Sequence, residues 1–176
     1  MDDSPQISID AQVSEKFAIN ISQISDVVTV LCKSLKIEDL ETSLSFVDEP
    51  TIQKLNREFR NKDAATDVLS FPQQEWKTPL LISEPVHNLR KTPLPGPQAL
   101  GDVVINLEYA EKNAATIGQG IDREVCFLII HGILHLCGHD HLTSDEEEIM
   151  TAQQRELWKI IDRDQGRLWR GCVSSL

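Results

Sequence analysis

Wound as a helix, the segment REVCFLIIHGILHLC (123–137) is apolar on nearly every side. Such a helix has no face for solvent and must be wrapped by the rest of the chain. No other feature of the sequence constrains the fold as much. It also poses a chemical problem, because four of the chain's five histidines fall within HGILHLCGHDH, residues 131–141. Each unpaired buried imidazole would cost about 1–3 kcal/mol. Either each finds a partner, or together they hold something.

The remaining sequence supplies the wrapping. ISIDAQV (7–13) alternates apolar and polar residues and predicts a strand. SQISDVVTVLCKSLKI (22–37) has helical periodicity, with serines near its start. TSLSFVD (42–48) predicts a second strand, and EPTIQKLNREFR (49–60) a helix with Pro50 in its first turn. TDVLSFP (66–72) predicts a third strand, stopped by Pro72. ALGDVVINLEYA (99–110) predicts a fourth, running into a helix near 108–117. The apolar helix follows, with Asp122 as its expected cap and Gly138 placed to end it in a left-handed turn. A last helix is expected over 143–161, where Ser144 and Glu147 fit a capping box. The fold class is therefore α+β, with one small mixed sheet of about four strands packed against helices. A single domain, 1–176, is expected. Residues 73–98 hold five prolines and read as an insertion, either disordered or a flap. The tail after 162 is expected to be loosely held.

Composition narrows the function. A net charge of −11 argues against general binding to nucleic acid, so RNA binding would need a local basic patch. No apolar run reaches the roughly 18 residues that a membrane span needs. MDDSPQISID has neither a basic nor an apolar leader region, so the expected compartment is the cytoplasm. Cys32, Cys126, Cys137 and Cys172 form no CxxC pair and read as reduced thiols. Buried thiol is the preferred reading of Cys137, with thiolate ligand as the rival.

His131 and His135 lie one helical turn apart on one face, with Cβ atoms about 5–6 Å apart. Beyond Gly138 the chain can turn back and bring His141 as a third ligand. Three nitrogens with an open position is a catalytic zinc arrangement. The rival triad of His131, His135 and His139 would require the helix to continue. Its outer imidazoles would then be about 12 Å apart along the axis. His139 is thus expected to be solvent-exposed or to support a ligand. Asp140 is a candidate to orient an imidazole or carry a proton. Gly132 stands where the HExxH metalloproteases have their glutamate base. Hydrolysis helped by the metal itself is therefore favoured over proteolysis by the usual route.

With these residues in hand, HGILHLCGHDH resembles HGxLHLxGxDH, the signature of the YbeY family of metal-dependent endoribonucleases. LNREFRNKDAATDVLSFP (55–72) and LGDVVIN (100–106) resemble that family's two other blocks, in the same order and spacing. The likeness covers most of residues 40–160 and excludes 73–98 and the tail. It implies a zincin-like α+β fold and cleavage of single-stranded RNA, with one Zn2+ per chain on His131, His135 and His141. Arg60 matches the family's functional arginine, and its guanidinium could stabilise charge developing on a phosphate. The resemblance further implies action in 16S rRNA 3′ end maturation and 70S ribosome quality control. The expected partners are small-subunit ribosomal RNA and the ribosome or its proteins, with neither DNA nor membrane. Two rival readings stand beside it: a metallopeptidase or small-molecule metallohydrolase, and a non-catalytic ribosome assembly factor.

Overall fold

The computed structural model describes residues 5–82, 98–163 and 167–176. Its elements are β1 (Ile7–Gln12), β2 (Phe17–Ile19), α1 (Ile21–Leu35), β3 (Leu40–Val47), α2 (Glu49–Arg60), β4 (Val68–Pro72), β5 (Gln98–Asn106), α3 (Leu107–Ile117), α4 (Ile121–Leu136), α5 (Ser144–Arg163) and β6 (Val173–Ser175). The main sheet has four strands in the order β1-β3-β5-β4. The first three run parallel, and β4 pairs antiparallel with β5 as an edge strand. This is the α+β architecture that the sequence predicts, with helices on both faces of a mixed sheet.

Strand periodicity sorts the two faces. On β5, Val103 and Ile105 enter the main core, whereas Val104 turns the other way to join Val47, Ile52 and Leu69 beneath α2. The main core centres on α4, whose Val125, Cys126, Leu128, Ile129, Ile130, Ile133 and Leu134 are buried. Helix α2 follows its sequence signals closely. Asp48 accepts from the N–H of Thr51, Pro50 sits in the first turn, and Asn61 closes the helix in the left-handed conformation.

Several expectations shift. Helix α4 begins at Ile121 after Gly120, so Asp122 is not its cap. The Asp122 carboxylate instead accepts from the backbone N–H groups of Arg123 and Gly171, which pins the C-terminal segment to the start of α4. The capping box of α5 lies one residue earlier than expected, between Thr143 and Glu146. The run of three glutamates after Asp145 fits either register, and the helix start selects the first. The tail is not loose over residues 167–176. Strand β6 pairs with β2, Cys172 and Val173 are buried, and the Trp169 indole N–H donates to Asp162 at 2.8 Å. These two short strands escape detection because neither is long enough to show a period. Of the proline-rich stretch, residues 83–97 lie outside the described residues. All four cysteines are buried thiols, and burial pushes Cys32 up to about 12.

Candidate metal centre

The centre is built at the C-terminal end of α4. Its last turn closes in a Schellman motif: the His139 N–H donates to the Leu134 carbonyl and the Gly138 N–H to that of His135. Gly138 takes φ +85°, a conformation that disfavours a side chain, and the Trp76 ring packs 3.1 Å from where its Cβ would stand. The chain therefore reverses at Gly138 and carries His141 back over the helix. The ligating atoms of His131, His135 and His141 all lie within 4.8 Å of one another. His131 and His135 are half-buried, while His141 is exposed.

Hydrogen bonding assigns the tautomers of the first two. His135 Nδ1 faces the His139 carbonyl at 2.9 Å, and a carbonyl can only accept, so Nδ1 carries the proton. His131 Nδ1 lies 3.3 Å from Oε1 of Gln154, whose amide nitrogen is turned to the Phe127 carbonyl. His131 Nδ1 is thus also a donor. Both Nε2 atoms are then lone pairs, and they sit only 3.0 Å apart. Neutral imidazoles repel in that pose unless a cation lies between them. A shared proton is disfavoured, because burial holds His131 below its usual range and lowers His135 to about 4. A metal ion satisfies both lone pairs and the third imidazole together. Zinc–nitrogen bonds of about 2.0–2.1 Å would set tetrahedral ligand atoms about 3.4 Å apart. The donor set therefore fits a metal ion.

Other candidate residues take different positions. His139 is not solvent-exposed: it is buried, with its ring Nε2 on the Leu80 carbonyl at 2.7 Å. Its backbone carbonyl, not its imidazole, supports the centre by orienting His135. The Asp140 carboxylate accepts from the backbone N–H of His141, so the ring-orienting role expected of Asp140 falls to the His139 carbonyl and Gln154. Cys137 is fully buried, its thiol pushed far up by burial, and it stands apart from the cluster, so it is no thiolate ligand. Arg60, at the end of α2, donates from its guanidinium to the Ser70 carbonyl on edge strand β4 at 2.9 Å. The Ser70 hydroxyl in turn donates to the Gly132 carbonyl on α4. Arg60 is thereby moored to the strand that flanks the histidine-bearing helix.

Two supports escape sequence reasoning. Gln154 lies a helix away, with nothing local to mark it. The start of the presumed insertion is also structural. The Trp76 indole N–H donates to the Leu136 carbonyl, and the Leu80 N–H to that of Cys137. This segment clasps the turn that delivers His141. Its only sequence trace is Trp76 and the short apolar run of residues 80–82.

Gly132 faces the sheet. A Cβ there would meet Val103 Cγ1 at 2.5 Å and Cγ2 at 3.0 Å. The absent side chain lets α4 approach β5 closely, which sets the depth of the histidines above the sheet. A glutamate at this position would point into packed core, not toward the histidine cluster.

The lowered His135 has a pH consequence for the metal-free protein. The unfolded imidazole, at its ordinary 6.5, takes up a proton that the folded one, held at about 4, refuses. The stability that depends on neutral His135 is thus lost as pH falls from 6.5 toward 4. Urea midpoints of chelator-treated protein should therefore drop more between pH 7 and pH 5 for the wild type than for His135→Gln. Equal drops would refute the assignment.

A buried helix bearing HxxxH, a histidine returning from beyond a glycine turn, and a mixed sheet with an antiparallel edge strand define a zincin-like α+β protein with a three-histidine cluster that could hold a metal ion. Within that class, the chain belongs to the YbeY family: the family model described as Endoribonuclease YbeY matches residues 8–162. Among the relatives that carry the name Endoribonuclease YbeY, three illustrate the match. One from Clostridium botulinum is 35% identical over 152 residues, covering 84% of this chain and 90% of the relative. One from Geobacillus kaustophilus is 37% identical over 149 residues, covering 82% and 90%. One from Listeria innocua is 44% identical over 124 residues, covering 70% and 74%. A solution structure of a Thermotoga maritima protein matches with a TM-score of 0.52 at 24% identity, covering 92% of this chain and 99% of that one. That likeness concerns the fold alone. No described helix is long and apolar enough to cross a membrane.

Proposed function

We propose that this chain is a zinc-dependent endoribonuclease that cuts single-stranded RNA, with one ion on His131, His135 and His141. Its proposed setting is the cytoplasm, where it acts in 16S rRNA 3′ end maturation and in quality control of the 70S ribosome. Small-subunit ribosomal RNA and the ribosome are its partners. Membership of a family named for endoribonuclease activity supports the reaction. The observation that carries the metal is the pair of imidazole lone pairs facing each other at 3.0 Å, with His141 beside them.

Held by His131, His135 and His141, zinc would supply a Lewis acid and lower the pKa of bound water. The protein's own residues do the rest. His135 is locked in the ligating tautomer by the His139 carbonyl, and His131 by Gln154. Arg60 spends one N–H on the Ser70 carbonyl, which fixes the guanidinium plane and leaves other donors for phosphate oxygens. As the phosphate gains charge, those donors strengthen their hold. Asp140 keeps a carboxylate oxygen beyond the one bonded to His141, and it takes a proton from the attacking water or gives one to the leaving oxygen. The packed environment of Gly132 weighs against a peptidase, whose glutamate base would have no space here.

Arg60→Ala should lower kcat/KM on a labelled single-stranded RNA by about 100-fold or more, the scale seen when one charge-stabilising donor is lost. Metal content should stay unchanged. Arg60→Lys should restore only part of the rate, because an ammonium cannot present a planar fork. Unaltered cleavage by Arg60→Ala would remove Arg60 from the mechanism.

A further inference from the structure

Beside the metal centre lies a cavity of about 500 Å3, within the span of small-molecule sites. It opens between α3, the first half of α4 and the middle of α5. Two of its lining residues also belong to the metal centre's surroundings. Gln154 bonds His131 Nδ1, and the Phe127 ring stacks on the His131 ring at 6.4 Å between centroids and 19° between planes. Phe127 is 44% exposed, unusual for a large apolar side chain on an otherwise buried helix. Trp158 also lines the cavity, with the Arg123 guanidinium 5.0 Å over its ring. Arg155 also lines the cavity and is exposed. Two cations meet here in a chain of net charge −11. The deepest polar group is the buried Glu124 carboxylate, held at 2.6 Å by amide N–H groups of both Asn113 and Gln119.

From this arrangement we infer that the cavity is a nucleobase subsite, which receives the base of a nucleotide next to the phosphate held at the metal. Resting on the ribonuclease reading, it gives that reading a means of gripping single strands in particular. The exposed ring of Phe127 offers a stacking face to any unpaired base, and the neighbouring arginines meet the charged backbone. Phe127 and His131 are four residues apart on α4, about 6 Å along its axis, so the cavity adjoins the histidine cluster as a base adjoins its own phosphate. A base paired in a duplex cannot leave its stack to enter without losing its partner, so the subsite selects unpaired RNA. The anchored Glu124 closes the far wall with acceptors, which suits the N–H groups on a base edge and repels phosphate.

The test is a double-mutant cycle between protein and RNA. A labelled single-stranded RNA is made with one abasic ribose, moved in turn through the nucleotides on either side of the cut. The zinc-loaded wild type should cleave one of these about tenfold more slowly than the intact strand, in line with the loss of one stacked base. Phe127→Ala and Arg155→Ala should cleave the intact strand more slowly with zinc content unchanged. Phe127→Ala should also be indifferent to the abasic position that slows the wild type. A merely structural role for Phe127 would instead slow both strands alike and keep the wild-type ratio, which overturns the inference. A second readout separates it from the reading beneath it. Guanosine and adenosine monophosphates should quench the tryptophan fluorescence of the wild type, ribose 5-phosphate should not, and Trp158→Phe should lose most of the quenching. Nucleotide binding without RNA cleavage would retain the subsite and sink the ribonuclease. Cleavage with neither abasic sensitivity nor nucleotide binding would sink the subsite alone.

Discussion

Replacing His131 with Ala should remove both the bound metal and the cleavage of single-stranded RNA. The wild type, purified with zinc, should carry one ion per chain, and the variant well under a tenth of that at the same free zinc. Cleavage should fall below detection, and chelator should do the same to the wild type. The physical reason lies in the paired Nε2 atoms at 3.0 Å. Removing one leaves two imidazoles, one of them exposed, which is too few nitrogens to hold zinc with a stable geometry. Thermal stability offers a second check. Metal binds the folded state only, so saturating zinc should raise the wild-type midpoint; at about 1,000 times Kd the gain is about 4 kcal/mol. Chelator should lower that midpoint but leave His131→Ala where it was. Cleavage that persisted in the metal-free wild type would take the metal out of the reaction.

Gly132→Glu, which recreates the HExxH pattern of metalloproteases, should yield no peptidase and little folded protein. The first added carbon would already lie 2.5 Å from Val103 Cγ1 and 3.3 Å from the Ser70 hydroxyl. Overpacking of this kind costs about 1–3 kcal/mol, and a carboxylate driven into the core adds several more. Against a typical total of about 5–15 kcal/mol, that sum approaches complete unfolding. Gly132→Ala isolates the first contribution. It should fold with its urea midpoint lowered by an amount equivalent to about 1–3 kcal/mol, and Val103→Ala in the same chain should recover part of the loss. A Gly132→Glu protein with a wild-type melting temperature and chelator-sensitive cleavage of casein would overturn this account and revive the peptidase.

The two results bear on one another. The first asks whether the histidines act as a metal site, and the second whether the helix is seated as deeply as the close approach of Gly132 to β5 requires. A shallower helix would move His131 and His135 away from Gln154 and away from the turn that carries His141.

Local signals in the chain determined much of this by themselves. The all-round apolar character of 123–137 demanded a central helix, and α4 is that helix. HxxxH put two imidazoles on one face, and Gly138 ended the helix because only a residue without a side chain enters φ +85° at low cost. The helix expected over 49–60, with Pro50 in its first turn, is α2 to the residue, since the signals that start a helix act within a single turn. What the tertiary structure alone decided involves partners far apart in the chain. Gln154 sets the His131 tautomer from 23 residues away, and Leu80 takes the His139 ring from 59 away. The cavity between α3, α4 and α5, the docking of the tail on Asp122, and the mooring of Arg60 on β4 are of the same kind. Periodicity and capping report a residue's relation to its own element. Which two elements meet depends on how the whole core packs, and no short stretch of sequence carries that.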